Sequence, residues 1–230
     1  MNRGDDRERT DDGRRGELRR LWIPGEAGRL EAALRVACPA CAAAVVAHPH
    51  PLHGGTLHNP VVFHADRELH RAGLTTLRFN FRGVGESAGE YDEGRGEVED
   101  VASATSWIRG VARGLPLLLV GYSFGAWCAI RHAADNPAVR GVIAVGLPLR
   151  RFSLDGLERL RRPLAVVQGG ADEFGSPDEV RRRIEALSPA GTLRVVEGAP
   201  HLFPGRAHEV GAAVAELAAP MLAAPADPPR

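Results

Sequence analysis

One pentapeptide in this sequence has the residues and the flanks for nucleophilic chemistry. Gly121-Tyr122-Ser123-Phe124-Gly125 follows the apolar run Leu117–Val120 and leads into AWCAIRHAA, whose spacing suits a helix. A serine at a sharp strand-to-helix turn has its hydroxyl lifted clear of the backbone. The close approach of strand and helix leaves no room for side chains two positions away, which accounts for Gly121 and Gly125. A serine hydroxyl is a weak nucleophile until a base takes its proton, and the base works best when a third group orients it.

Proteins with such a turn carry the acid and then the base on later strand-end loops. Past the apolar run Leu164–Gln168 lies Gly169-Gly170-Ala171-Asp172-Glu173-Phe174, and past Thr192–Val196 lies Glu197-Gly198-Ala199-Pro200-His201-Leu202-Phe203. We therefore expect Ser123 as nucleophile, Asp172 as acid with Glu173 in reserve, and His201 as base. Attack on an acyl carbonyl also needs two N–H donors for the oxyanion. The residue after the nucleophile, Phe124, supplies one. The other comes from His48-Pro49-His50-Pro51-Leu52-His53-Gly54-Gly55, where the prolines lack N–H and leave His50, Leu52 or His53. Leu52 is favoured, since His50-Pro51-Leu52 ahead of a glycine pair matches a histidine, glycine, donor arrangement.

Other chemistry-bearing residues point elsewhere. His48, His50, His53 and His58 have chelating spacings, but no carboxylate or cysteine cluster accompanies them, and a serine mechanism requires neither metal nor cofactor. Cys38-Pro-Ala-Cys41 has no second pair and precedes a strand rather than opening a helix. Arg82-Gly83-Val84-Gly85 lacks the spacing of a phosphate-binding loop. Arg82 could grip a substrate carboxylate or pair with an internal acid such as Asp100, and the internal pairing is favoured.

The elements that must position these groups alternate. Candidate strands are Leu18–Ile23, Leu30–Val36, Ala43–Ala47, Thr75–Phe81, Leu117–Gly121, Gly141–Val145, Leu164–Gln168 and Thr192–Val196; candidate helices are Pro60–Ala72, Gly94–Arg109, Phe124–Asp135, Pro177–Ala186 and Arg206–Ala219. The first two strands form a hairpin-like start, and the later ones are continuous apolar runs, as in strands covered on both faces. This order predicts an α/β fold with a mostly parallel eight-stranded sheet, helices on both faces and an antiparallel edge. The stretch between Val145 and Leu164 is too short for a helical cap, leaving an open site suited to short acyl or peptide-like substrates.

HPHPLHGGTLHNPVV, FNFRGVGESAGEYDEGRGEVEDV, GYSFGAW, GGADEF and GAPHLF, in that order, resemble the small bacterial hydrolases of the α/β-hydrolase superfamily, relatives of dienelactone hydrolases and serine aminopeptidases. The resemblance spans residues 18–218 and implies a lidless fold with a Ser-Asp-His triad. Dienelactone hydrolases are built around a cysteine nucleophile, where this chain has Ser123, so the resemblance does not extend to that lactone.

Composition bounds the rest. The chain has 230 residues, 44% of them hydrophobic, enough for one substantial core. With 29 basic and 29 acidic residues the formal charge is zero, and no field draws it to nucleic acid or anionic membrane. Residues 1–16 are charged without an apolar stretch and residues 220–230 are rich in Ala and Pro; both are expected to be tails around a domain at 17–219. Three cysteines without a framework and no spanning segment suggest a cytoplasmic protein. The expected activity is hydrolysis of a small acyl ester through an acyl-enzyme. The rivals are an aminopeptidase-like or amide hydrolase with the same triad, and a non-catalytic binding module.

Overall fold

A computed structural model describes residues 18–153 and 155–223. The expected N-terminal tail lies outside the described residues, as does the C-terminal one beyond Ala223. Eight strands form one sheet: β1 (Leu18–Gly25), β2 (Gly28–Arg35), β3 (Ala42–Ala47), β4 (Leu74–Phe79), β5 (Leu117–Tyr122), β6 (Gly141–Val145), β7 (Leu164–Gly169) and β8 (Thr192–Val196). Six helices accompany them: α1 (Pro60–Arg71), α2 (Arg95–Val111), α3 (Phe124–Asp135), α4 (Asp155–Arg159), α5 (Pro177–Glu185) and α6 (Ala207–Ala223). The strand order is β1-β2-β4-β3-β5-β6-β7-β8. β1, β2 and β4 pair antiparallel, and all pairings from β4 to β8 are parallel.

Successive side chains of a strand face opposite sides of a sheet, so each central strand feeds two cores. Ala44, Val46, Leu118, Val120, Ile143, Val145, Ala165 and Val167 face α1 and α6. Ala43, Val45, Leu117, Leu119, Val142, Ala144, Leu164 and Val166 face α2, α3, α4 and α5. This double cover is why β3, β5, β6 and β7 show unbroken apolar runs. Capping contributes at two helix starts: the Asn59 side chain accepts from the Val61 N–H (2.9 Å), and Ser176 forms a reciprocal capping box with Glu179.

Three features depart from the sequence reading. The β6–β7 connection contains the one-turn helix α4, seated on α3 by Leu157 and Leu160 and too short for a periodicity to show. α6 runs through Pro220 to Ala223, past the expected end at Ala219, because Ala218 and Met221 still bury against the sheet. β4 stops at Phe79, short of the expected Phe81: Asn80 keeps a last bond to β2 through the Glu31 carbonyl (2.8 Å), and the next two N–H groups leave the sheet for side chains, Phe81 for His48 Nε2 (3.1 Å) and Arg82 for Asp100 (2.9 Å). No separate cap domain is present among the described residues, and none of their helices is long and apolar enough to cross a membrane.

Candidate active site

The carboxyl ends of the parallel strands deliver six loops to one edge of the sheet, and the candidate residues meet there. Ser123 stands between β5 and α3 at φ 53°, ψ −112°, a left-handed conformation for a residue with a side chain. Such a position costs about 1–3 kcal/mol and persists only where its surroundings over-determine it. Here they do: the Ser123 N–H donates to the Val145 carbonyl (2.8 Å), while its own carbonyl accepts from Ala126 (3.0 Å) and Trp127 (3.2 Å) at the start of α3. A Cβ on Gly121 would collide with the Gly125 carbonyl and the Ala126 amide. One on Gly125 would lie 2.5–2.6 Å from the carbonyl oxygens of His48 and Ala47. The two glycines let the start of α3, the end of β5 and the end of β3 nest together.

Ser123, Asp172 and His201 are brought together. His201 Nε2 lies 2.8 Å from Ser123 Oγ, and His201 Nδ1 lies 2.9 Å from Asp172 Oδ2. Asp172 has only an acceptor to offer, so Nδ1 carries the proton and Nε2 presents a lone pair to the serine hydroxyl. Asp172 Oδ1 accepts from the Phe174 N–H (2.9 Å) and Oδ2 accepts also from Gln168 Nε2 (2.9 Å). Glu173, the reserve acid, is exposed and turned to the backbone, accepting from the His201 N–H (3.2 Å). The imidazole is held on several sides: a Cβ on Gly146 would come 3.1 Å from its Cε1, and the Phe174 ring packs edge-on at 4.6 Å. The Tyr122 hydroxyl donates to the His201 carbonyl (2.9 Å); burial raises that phenol's pKa, so it stays a neutral donor.

The loop after β3 differs from expectation at the second donor. Pro51–His53 form a single 3-10 turn capped by His50, whose Nδ1 accepts the Leu52 N–H at 3.2 Å, and Leu52 is 66% exposed. Leu52 is therefore already engaged, and the His53 N–H is spent on the His50 carbonyl (3.1 Å). Among the described residues, the N–H groups of His50 and Phe124 are not hydrogen-bonded. A Cβ on Gly125 would lie 2.5 Å from the His48 carbonyl oxygen, so the backbone that follows Phe124 lies against the start of the loop that carries His50. His50 Nε2 meets the Tyr91 hydroxyl at 3.2 Å; burial, then the neighbouring His53, lowers the His50 pKa.

The other candidates have structural partners. His48 Nδ1 donates to the Pro49 carbonyl (2.6 Å) and its Nε2 accepts from the Phe81 N–H (3.1 Å), so neither nitrogen is left for a metal. Arg82 forks onto Asp100 through Nε (3.1 Å) and Nη2 (2.9 Å), and its backbone N–H donates to the same carboxylate (2.9 Å). The FNFRGVGES block is thereby a clamp: Asn80 joins Leu57 to Glu31 (both 2.7 Å), and Ser87 Oγ donates to the Asn80 carbonyl (2.8 Å). Sequence reasoning missed Gln168, although a lone amide ending the apolar strand LAVVQG was a visible signal.

A doubly covered parallel sheet with a strained serine, an imidazole and a carboxylate on its strand-end loops defines the α/β serine hydrolase class. Residues 40–223 match the α/β-hydrolase domain family, and the chain belongs to that family. It is 32% identical to the uncharacterised Rickettsia prowazekii protein RP471 over 84% of this chain and 86% of that one. Among solved structures it is similar to XC6422 of Xanthomonas campestris, described as an α/β serine hydrolase without a lid (32% identity, TM-score 0.82, 91% and 97% of the two chains). It also resembles an α/β serine hydrolase homologue from Coxiella burnetii (34% identity, TM-score 0.80, 86% and 96%).

Proposed function

We propose that this protein hydrolyses small acyl esters through a covalent acyl-enzyme. The observation that carries the reading is the continuous hydrogen-bonded line from Asp172 through His201 to Ser123, at 2.9 and 2.8 Å. Ser123 Oγ attacks the acyl carbon as its proton passes to His201 Nε2, and Asp172 steadies the imidazolium that forms. The carbonyl oxygen takes up the negative charge and is held by the N–H groups of Phe124 and His50. His201 then gives its proton to the departing alkoxide oxygen as the C–O bond breaks. Water attacks the acyl-serine with the same base, releasing the acid and restoring Ser123. Among its described residues the β6–β7 connection carries only the short α4, and Leu52 and Leu202 stand exposed beside the candidate donors and base (66% and 71%). An uncapped rim of this kind suits short substrates.

A fluorophosphonate probe and a p-nitrophenyl ester series test the reading together. Labelling confined to Ser123, with turnover of the short esters, is the expected result. A folded wild-type chain that takes up no label would overturn it. Acyl-anilides turned over faster than matched esters would move it to an amide hydrolase.

A further inference from the structure

Gln168 is the last residue but one of β7, has no exposed surface, and sits in an otherwise apolar strand. Burying a primary amide is costly unless its hydrogen-bonding capacity is met, and here it is met by three separate segments. Oε1 accepts from the Leu147 N–H (2.8 Å), and Nε2 lies 2.9 Å from Asp172 Oδ2 and 2.8 Å from the Gly175 carbonyl. Two hydrogens on Nε2 serve those two short contacts. The opposite amide orientation would set an oxygen against two acceptors and the nitrogen against the Leu147 N–H, so the orientation is determined by the partners.

Each segment that Gln168 ties also touches the imidazole. Leu147 follows Gly146, whose Cα side lies against His201 Cε1. Gly175 follows Phe174, whose ring packs edge-on to His201. Asp172 Oδ2 is the atom that accepts from His201 Nδ1. We infer that Gln168 is a positioning residue for the reaction: its amide shares Asp172 Oδ2 with His201 and locks the two loops that wall the imidazole. The inference rests on the triad reading above.

A second consequence separates this role from mere packing. The Gln168 N–H is one of the donors holding negative charge on Asp172, and removing it leaves that carboxylate a stronger acceptor for the proton shared with His201. The other charged or titratable groups nearby are Glu173, on the His201 N–H, Tyr122, whose hydroxyl donates to the His201 carbonyl, and Arg151, 4.4 Å over the Phe174 ring. None of them bonds to Asp172, so a change at Gln168 reaches the imidazole through the Asp172 carboxylate and the two tied loops.

The test compares wild type, Gln168→Met, which keeps bulk without a donor, and Gln168→Glu, which keeps shape while turning the donor into an acceptor. Turnover is normalised to sites titrated by the fluorophosphonate. For both variants kcat per site falls about 10- to 100-fold with KM little changed, and the acid side of the kcat/KM profile moves to higher pH, further for glutamate. Should the methionine chain not fold, the glutamate chain carries the same comparison. Variants that lower the thermal midpoint yet keep wild-type kcat per site and an unmoved pH profile would overturn the inference. A wild-type chain that takes up no label would instead overturn the triad reading beneath it.

Discussion

His48 follows β3 and His201 follows β8, and both imidazoles are shut away from solvent, at 0% and 2% exposure. His48 spends Nδ1 on the Pro49 carbonyl and Nε2 on the Phe81 N–H. Protonation would put a second N–H against the Phe81 N–H inside the core. Burial accordingly lowers its pKa to about 4, only partly opposed by the Pro49 carbonyl. His201 faces a carboxylate on one nitrogen and a hydroxyl on the other, partners that can hold and hand over a proton. Equal burial gives opposite chemistry, because the groups at the two ring nitrogens decide whether an imidazole can cycle through its charged form.

The sharpest way to break the contrast is to remove the hydroxyl that only His201 has. Ser123→Ala is expected to abolish labelling and lower kcat by about 10⁶-fold, read on the best p-nitrophenyl ester. Asp172→Asn leaves the ring nearly in place but takes away the carboxylate that orients and stabilises it; a kcat loss on the order of 10⁴ is expected in the same assay. A substantially smaller loss would move that role to Glu173. His50 tests what the His48 loop contributes to chemistry through its backbone. Its φ of −52° tolerates proline, so His50→Pro deletes the proposed oxyanion donor and should cost about 10²- to 10³-fold in kcat. His50→Ala loses the ring but keeps the N–H, and should stay far more active than the proline variant. Equal activity of the two would return the donor to another residue.

The last prediction concerns stability, read as the difference that His48 makes beside the other histidines whose pKa burial lowers, His50, His64 and His132. The folded pKa of His48, about 4, lies below the ordinary 6.5, so the unfolded chain binds the proton first as pH falls. The contribution is complete above pH 6.5, declines as pH drops, and is gone below about pH 4, a loss of about 3 kcal/mol. Urea unfolding at steps from pH 7 to 4 measures it. His48→Asn, which has no titratable ring, should show a shallower decline, and identical slopes would refute the assignment.

The α/β architecture was legible because the burial that shapes it is local in its signature: doubly covered strands are continuous apolar runs, and five of the six helices that alternate with them carry an apolar periodicity, all but one short case. That case, α4, has a single turn and owes its existence to Leu157 and Leu160 meeting α3, a contact outside its own residues. The end of α6 was misjudged for the same reason, since Pro220 signals a break to a local reading while Met221 is buried by the sheet. At the site, Ser123, Asp172 and His201 were readable from motif and strand-end position. The engagement of the Leu52 N–H was not. Counting prolines narrowed the loop to three amides, and nothing in the sequence says that the His50 ring folds back to occupy the Leu52 N–H.

By itself the sequence determined which side chains this protein can use and the order of strands and turns that carry them, since residue type and apolar periodicity are properties of short segments. Only the folded chain set which histidine faces a carboxylate, which loop amide is already bonded, and that the buried Gln168 ties Asp172 to the two loops beside His201. Those outcomes depend on hydrogen-bond partners drawn from residues far apart in the chain, and a partner is a matter of distance in space, which the folded sheet sets.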